Sequence, residues 1–365
     1  MKKNSFRSLR SIVVGLFVAG ALLAGASTNA SETTIPDKIK VFIVQSYEQD
    51  HVCGAPQGKG IEASLAKEFS GRLDIKNHFM STKTINSTPE KMQHEARLVL
   101  AEVDSFKPDM VFMVDDDAFR EVGVKLISEK YPVIFSGMNA QPENYSKNVP
   151  FLDGAGRPNS NITGVYEKLH FQTAINVMRG VIPDLKKIVA LLDKSPTGNA
   201  IRVQMEKELA GYGEKIEVVF KQVGTMKDYL EEMTKINNDP TVQAVYPVVL
   251  SVVDDQRVSV GFKKTLRAYV ENCTKPGMAL NFDFARLGLF GGASVDFGAM
   301  GRQAGEMGVK FLQGAKISDL PIESAKEYLI TFNKKNADML HVQIPTELIG
   351  AAIIYDSIAV FEEGK

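Results

Sequence analysis

The chain of 365 residues has no tryptophan and only two cysteines, Cys53 and Cys273. Without tryptophan, any aromatic platform must come from Tyr or Phe. Two cysteines exclude the disulfide framework that staples small secreted domains. An excess of one charge is also missing, since 43 Lys and Arg face 44 Asp and Glu, so no nucleic-acid surface is expected. Catalytic signatures are absent: there is no G-x-S-x-G nucleophile elbow, no H-E-x-x-H and no G-x-x-x-x-G-K-[ST] phosphate loop. Five histidines lie scattered along the chain and give a His-dependent triad no support. His51 and Cys53 would make a soft metal pair, but two ligands are too few. No catalytic residue, cofactor or metal is expected, and neither heptads nor low-complexity tracts occur.

What is present begins with a leader. Lys2, Lys3, Arg7 and Arg10 precede the apolar run SIVVGLFVAGALLAGA, which closes on Ala24-Gly25-Ala26, with Thr28-Asn29-Ala30 as a second cut site. This order reads as a signal peptide over residues 1–26, cut after 26 or 30, and hence as a periplasmic protein. Its removal takes four basic residues and leaves 39 basic against 44 acidic. The remainder, about 335 residues, exceeds what one hydrophobic core usually serves, so two domains are expected.

Strand-like and helical runs then alternate. Lys40–Gln45, Leu73–Phe79, Met110–Val114 and Pro132–Phe135 read as strands, with helices over Ala55–Phe69, Pro89–Ser105 and Asp117–Lys130. A polar stretch from Asn139 to Asn161 breaks the rhythm. The pattern resumes with strands at Ile162–Tyr166, Lys187–Leu192, Ile216–Gln222, Ala244–Val249 and Met278–Asn281. Helices are expected over Phe171–Arg179 and around Ala200–Gly211, Met226–Ile236 and Gln256–Val270. Such βαβ series predict α/β architecture, parallel sheets flanked by helices. On that topology Cys53 and Cys273 fall on opposite sides and are expected as separate thiols.

The tract Gly291 to Pro321 carries a helical pattern in which Gly298, Gly301, Gly305 and Gly308 share one stripe. Each interior glycine costs about 1 kcal/mol relative to alanine, so a close backbone approach is expected there. Asp296 can cap the helix start.

Asn161-Ile162-Thr163-Gly164-Val165, the later run KKIVALLDKSPTGNA, this glycine tract and YLITFNKKNADMLHVQIP from Tyr328 to Pro345 come in an order and spacing that resembles the periplasmic substrate-binding proteins of ABC transporters, in the branch that includes tryptophan-binding members. The resemblance spans nearly the whole chain after the leader. It implies the type I periplasmic-binding fold, two Rossmann-like lobes joined by three crossover strands. Lobe one would comprise 38–140 and 293–316, lobe two 161–292 and 320–345, with a C-terminal helix over 346–365. The loop from Ser46 to Gly54 also resembles the post-strand loop of extracellular sensor domains on this fold, and its Cys-Gly-Ala-Pro-Gln run departs from the transporter pattern.

Ligands of open parallel sheets bind beyond the carboxyl ends of the strands, which singles out particular loops. Ser46, Tyr47 and His51 follow the first strand and either line the cleft or form a self-contained polar loop. Asp115 and Asp116 end the third strand and are either helix caps or partners for a ligand amine. Gly137 and Asn139 follow the fourth strand, and Tyr166 and Glu167 the first crossover strand. Ser195 and Thr197 open a helix whose free amides would suit an anion, or are an ordinary helix start. Asp283 and Phe284 follow the last strand of lobe two.

Together these point to reversible capture of a small amino-acid-like, aromatic or heterocyclic solute. Delivery would be to an ABC transporter permease in the inner membrane, by a protein expected to be monomeric. The alternative is a periplasmic ligand sensor feeding a membrane signalling partner, which would use the same cleft.

Overall fold

The computed structural model describes residues 37–362; the signal segment expected over 1–26 lies outside this range. In chain order the strands are β1 Ile39–Gln45, β2 Leu73–Phe79, β3 Met110–Val114, β4 Val133–Met138, β5 Ile162–Tyr166, β6 Lys187–Asp193, β7 Glu217–Val223, β8 Ala244–Val248, β9 Val252–Val253, β10 Ser259–Val260, β11 Gly291–Val295, β12 Glu323–Ser324, β13 Tyr328–Asn333 and β14 Ile353–Tyr355. The helices are α1 Gly54–Phe69, α2 Pro89–Phe106, α3 Asp115–Glu121, α4 Pro142–Ser146, α5 Phe171–Val181, α6 Pro196–Ala210, α7 Met226–Asn238, α8 Phe262–Asn272, α9 Phe282–Leu287, α10 Phe297–Leu312, α11 Lys334–Leu340, α12 Thr346–Ile349 and α13 Ala359–Glu362.

Lobe one is a six-stranded parallel sheet in the order β12-β5-β4-β3-β1-β2. Its inner strands β1, β3 and β4 are buried on both faces because helices cover both. Ile39, Val41, Ile43, Phe112 and Val114 enter one core, and Phe42, Val44, Val111 and Met113 the other, as the period of two requires. Lobe two is built on β7-β6-β8 and β11-β13-β14. The segment 277–281 bridges them through Val245 to Gly277, Met278 to Gly291 and Asn281 to Val295. It was expected as a strand and makes single bridges only. On its far side it meets β11, whose first two residues, Gly291 and Gly292, have φ of 118° and 125° and break the regular pleat.

The crossover strands pair in the lobe they are leaving. β5 adds to β4 and β12 to β5 in lobe one, while β11 pairs with β13 in lobe two. The switches therefore lie at 167–170, 296 and 325–327, so Ile162–Tyr166 belongs to the first sheet and Gly291–Val295 to the second layer.

Three other expectations change. The helix expected over Asp117–Lys130 starts at Asp115 and ends at Glu121, giving way to a 3₁₀ turn over Gly123–Leu126. The helix expected around Gln256–Val270 begins only at Phe262, because Val252–Val253 and Ser259–Val260 pair as a hairpin; β-branched residues favour the ladder. The C-terminal helix over 346–365 is instead one turn, Thr346–Ile349, then β14 alongside β13, then Ala359–Glu362. Ile353-Ile354-Tyr355 suits the open edge that β13 offers.

The glycine stripe packs α10 against α1 on lobe one. A β-carbon at Gly301 would overlap the backbone of Gln57, one at Gly60 the backbone of α10 at Gly298, and one at Gly305 would come within 2.9 Å of the Ile61 carbonyl. Asp296 caps α10 by accepting from Ala299 N at 2.9 Å. Cys53 and Cys273 are free thiols. Among the described residues no helix is long and apolar enough to cross a membrane.

Candidate functional site

A cavity of about 500 Å³ opens between the lobes. Lobe one lines it with Glu48, Asp50, His51, Val52, Ala55 and Pro56, from the loop after β1 and the first turn of α1. Lobe two lines it with Phe262 and Lys263 at the start of α8 and with Phe282, Asp283 and Arg286 of α9. Asn281 starts α9 by accepting from Phe284 N at 3.1 Å. Residues 282 and 286 then share one face, while Phe284 turns inward and stacks on Phe262 with ring centroids 6.0 Å apart. Asp283 is held by Arg286 Nε at 2.6 Å.

His51 Nδ1 accepts from Cys53 N at 3.2 Å, so the ring proton sits on Nε2. Burial holds this imidazole down at about 4, against the opposing pull of Glu48. Its ring lies 4.3 Å from that of Tyr47, over which the Lys83 ammonium sits 5.0 Å from the centroid. Burial, then Asp115, pushes the Tyr47 hydroxyl well up and keeps it protonated.

Behind the cavity Asp115 and Glu167 are buried, and both carboxyls are pushed well up, first by burial. Asp115 has φ of 66°, a left-handed conformation that Asp tolerates better than most residues. Its Oδ1 accepts from Gln57 Nε2 at 2.9 Å. Gln57 in turn accepts from Ser136 Oγ at 2.6 Å and fills the space beside Gly137, whose φ is 82° and whose missing side chain leaves that room.

The sequence profile of the ABC transporter substrate-binding proteins matches residues 122–354, more than half of the chain. The chain belongs to that family. A tyrosine-binding protein of Clostridioides difficile is 20% identical over 354 residues, covering 91% of this chain and 92% of its own. Among solved structures, a Streptococcus pneumoniae ABC domain in complex with L-Trp aligns with a TM-score of 0.64 at 21% identity, over 87% of this chain and 99% of that one. The ligand-free, open structure of a Clostridium difficile substrate-binding protein with adhesive properties aligns with the same score at 18% identity, again over 87% and 99%. These likenesses establish the type I periplasmic-binding fold. Substrate-binding proteins of this family work outside the cytoplasm and are in general not enzymes.

In this substrate-binding protein the thirteen residues singled out from the sequence separate into groups. His51 and Asp283 line the cavity, with Tyr47 stacked beside His51. Asp115 and Glu167 are buried and do not line the cavity, and Asn139 bonds the Glu167 side chain. The others have structural duties. Ser46 is fully buried, donating to Val114 O at 2.7 Å and accepting from Ala118 N at 2.8 Å, which ties β1 to the start of α3. Asp116 accepts from Asn139 N, Ala140 N and Tyr145 Oη and so fixes the turn after β4. Gly137 makes room for Gln57, and Tyr166 packs on the lobe-one core. Ser195 is a helix cap, accepting from Gly198 N at 3.1 Å. Thr197 is half-buried in the same turn, and neither residue lines the cavity. Phe284 is core; Phe282 and Phe262 present their rings to the cavity instead.

Sequence reasoning missed Phe262, Phe282, Arg286, Lys83 and Gln57. Helical spacing from the Asn281 cap would have favoured 282 and 286 over 284. Phe262 and Gln57 carry no local signal.

Proposed function

We propose that this protein captures a small amino-acid-like solute, aromatic or heterocyclic in its side group, between its lobes and delivers it to an ABC transporter permease from the periplasmic side. The observation that carries this reading is the interlobe cavity of about 500 Å³, within the range of small-molecule sites. Its apolar walls come from both lobes and its rim is charged. Phe262 and Phe282 supply ring surface, and His51, Asp283 and Arg286 supply polar edges. A ligand touching both lobes stabilises the closed arrangement through differential contacts, which a permease can detect. No bond is made or broken. That a similar protein is named tyrosine-binding and another was solved with L-Trp supports an aromatic amino acid as the first ligand to try.

The test is a thermal-shift screen of refolded, ligand-free protein against amino acids, nucleosides, sugars and organic acids. A true ligand at a hundred times its dissociation constant should add about 2.7 kcal/mol. If no compound raises the midpoint, solute capture is refuted. Uptake of the identified ligand that survives deletion of the partner permease would refute delivery.

A further inference from the structure

Backbone amides and carbonyls in a crossover are bonded to one lobe or to the other, and those bonds mark where one lobe's hold ends. Glu167 N donates to Met138 O of lobe one at 2.9 Å, whereas Glu167 O accepts from Gln204 Nε2 of α6, in lobe two, at 2.6 Å. The next two holds also come from α6. Leu169 N donates to Gln204 Oε1 at 3.1 Å, and Phe171 N donates to Glu208 Oε2 at 2.6 Å. The first crossover thus changes hands within a single residue.

The third crossover is held in the same manner from the opposite lobe. Ser324 O accepts from Gln303 Nε2 of α10 at 3.1 Å, Ala325 N donates to Tyr166 O at 2.9 Å, and Lys326 N donates to Gln303 Oε1 at 3.1 Å. Lobe two takes over at Tyr328, which pairs with Val295 between β13 and β11. Each glutamine therefore donates to the carbonyl of one residue and accepts from the amide two residues on, at 167 and 169 or at 324 and 326, as a residue of a neighbouring parallel strand does. Gln204 is 5% exposed, so water does not compete for its bonds. Gln303 is half-buried and also donates to Glu323 Oε2 at 2.7 Å. At the second crossover, Val295 N donates to Leu280 O of lobe two at 2.9 Å, and Asp296 O accepts from Met300 N of α10 at 3.0 Å.

We infer that Gln204 and Gln303 are hinge clamps, one from each lobe, which confine lobe movement to the torsions of Glu167, of Val295 and Asp296, and of Lys326 and Glu327. They are positioning residues, since neither lines the cavity. With both clamps bonded the free lobes sample few relative orientations. With Gln204 released the first handover spreads from Glu167 toward Phe171, and with Gln303 released the third begins at Ala325. More torsions are then free, the orientation that accepts a ligand is a smaller fraction of the whole, and the apparent affinity falls by that fraction. The inference rests on the proposed solute capture and adds the residues that fix where the lobes turn.

Two readings of the refolded, ligand-free protein test this. Double electron–electron resonance gives the interlobe distance distribution from spin labels on Lys67→Cys in lobe one and Lys227→Cys in lobe two, both exposed, with Cys53→Ser and Cys273→Ser as background. Isothermal titration with L-tyrosine and L-tryptophan gives the affinity. The control is Gln243→Met, because Gln243 accepts from Lys186 N at 2.6 Å and donates to Asp184 O at 3.0 Å wholly inside lobe two. Gln204→Met and Gln303→Met should each widen the ligand-free distribution beyond that of Gln243→Met. They should also weaken binding about threefold to tenfold, the range that a net hydrogen bond is worth, while Gln243→Met leaves affinity unchanged. If the distributions of both hinge variants match that of Gln243→Met, the clamps are overturned and solute capture stands; widening without loss of affinity overturns their part in capture. If neither amino acid binds the wild type, capture of an aromatic amino acid falls, and the ligand-free distances still decide the clamps. Should Gln204→Met fail to fold, Gln303→Met, at its half-buried position, carries the test.

Discussion

On the lobe-one side of the cleft, Ser46, Gln57, Asp115 and Asp116 are held by backbone amides, carbonyls or one another. On the lobe-two side, Phe262 and Phe282 stand half-buried at the starts of two helices, and the polar groups beside them, Asp283 and Arg286, pair along one helix. Behind its cavity wall lobe one holds a fixed polar cluster whose geometry is set by strand ends packed in a sheet. Lobe two offers ring surface that would gain burial if a ligand filled the cavity. The difference teaches how the work divides: polar recognition needs groups that cannot relax away from the ligand, whereas apolar closure needs area that water still reaches before binding.

The contrast can be broken most severely at the pair of helices α1 and α10 on the lobe-one side. Gly301→Leu drives a side chain into the Gln57 backbone, and overpacking of this kind should cost about 3 kcal/mol or more. Urea unfolding would show it as a lowered midpoint or as failure to fold, and a midpoint within error of wild type would mean that α1 and α10 are not locked together. On the lobe-two side the two neighbouring phenylalanines should behave oppositely. Phe284→Ala should lose about 3–5 kcal/mol of stability. Phe282→Ala should lose little stability but about tenfold in ligand affinity, about 1.4 kcal/mol. Equal losses of stability in the two variants would contradict the assignment of one ring to the core and the other to the cleft.

The last effect, spread over a pH range, concerns the joint between the lobes. His170 follows the first crossover strand and sits 5.3 Å, ring to ring, from Tyr328 at the third switch. Burial, then Lys168, lowers its imidazole to about 4 from an ordinary 6.5. The unfolded chain therefore takes up the proton first as pH falls. The stability due to neutral His170 is fully present above about 6.5 and is lost toward 4, by at most about 3 kcal/mol. Asp115 and Glu167, raised instead of lowered, work in the opposite direction over the acid range. Unfolding titrations at several pH values should find His170→Asn flatter than wild type between 6.5 and 4, and parallel curves would remove His170 from the linkage.

How far the sequence reached can be followed residue by residue. The strands of lobe one were legible because Val41 to Val44 and Val111 to Val114 are buried on both faces, and a continuous apolar run carries that information locally. The glycine stripe of α10 announced a close approach, since four glycines in one helix have no local reason to persist. The hairpin at 252–260 was hidden because its residues suit helix or strand alike, and pairing decides. Asp115 and Glu167 could be nominated from their positions after strands, and so could Ser46 and Asp116. That Asp115 takes the Gln57 side chain while Ser46 and Asp116 hold backbone depends on which groups lie within about 3 Å, a distance set by neighbours tens of residues away.

By itself, then, the sequence determined the alternation of strands and helices, the two-lobed class and the loops in which a ligand could be met, because periodicity and caps act over a few residues. Only the tertiary structure decided that Phe282 and not Phe284 faces the cleft, that Gln57 reaches Asp115 across 58 residues, and that Ser46 ties β1 to the start of α3. Such choices rest on packing between distant segments, where a side chain's role is fixed by what is left for it to bond.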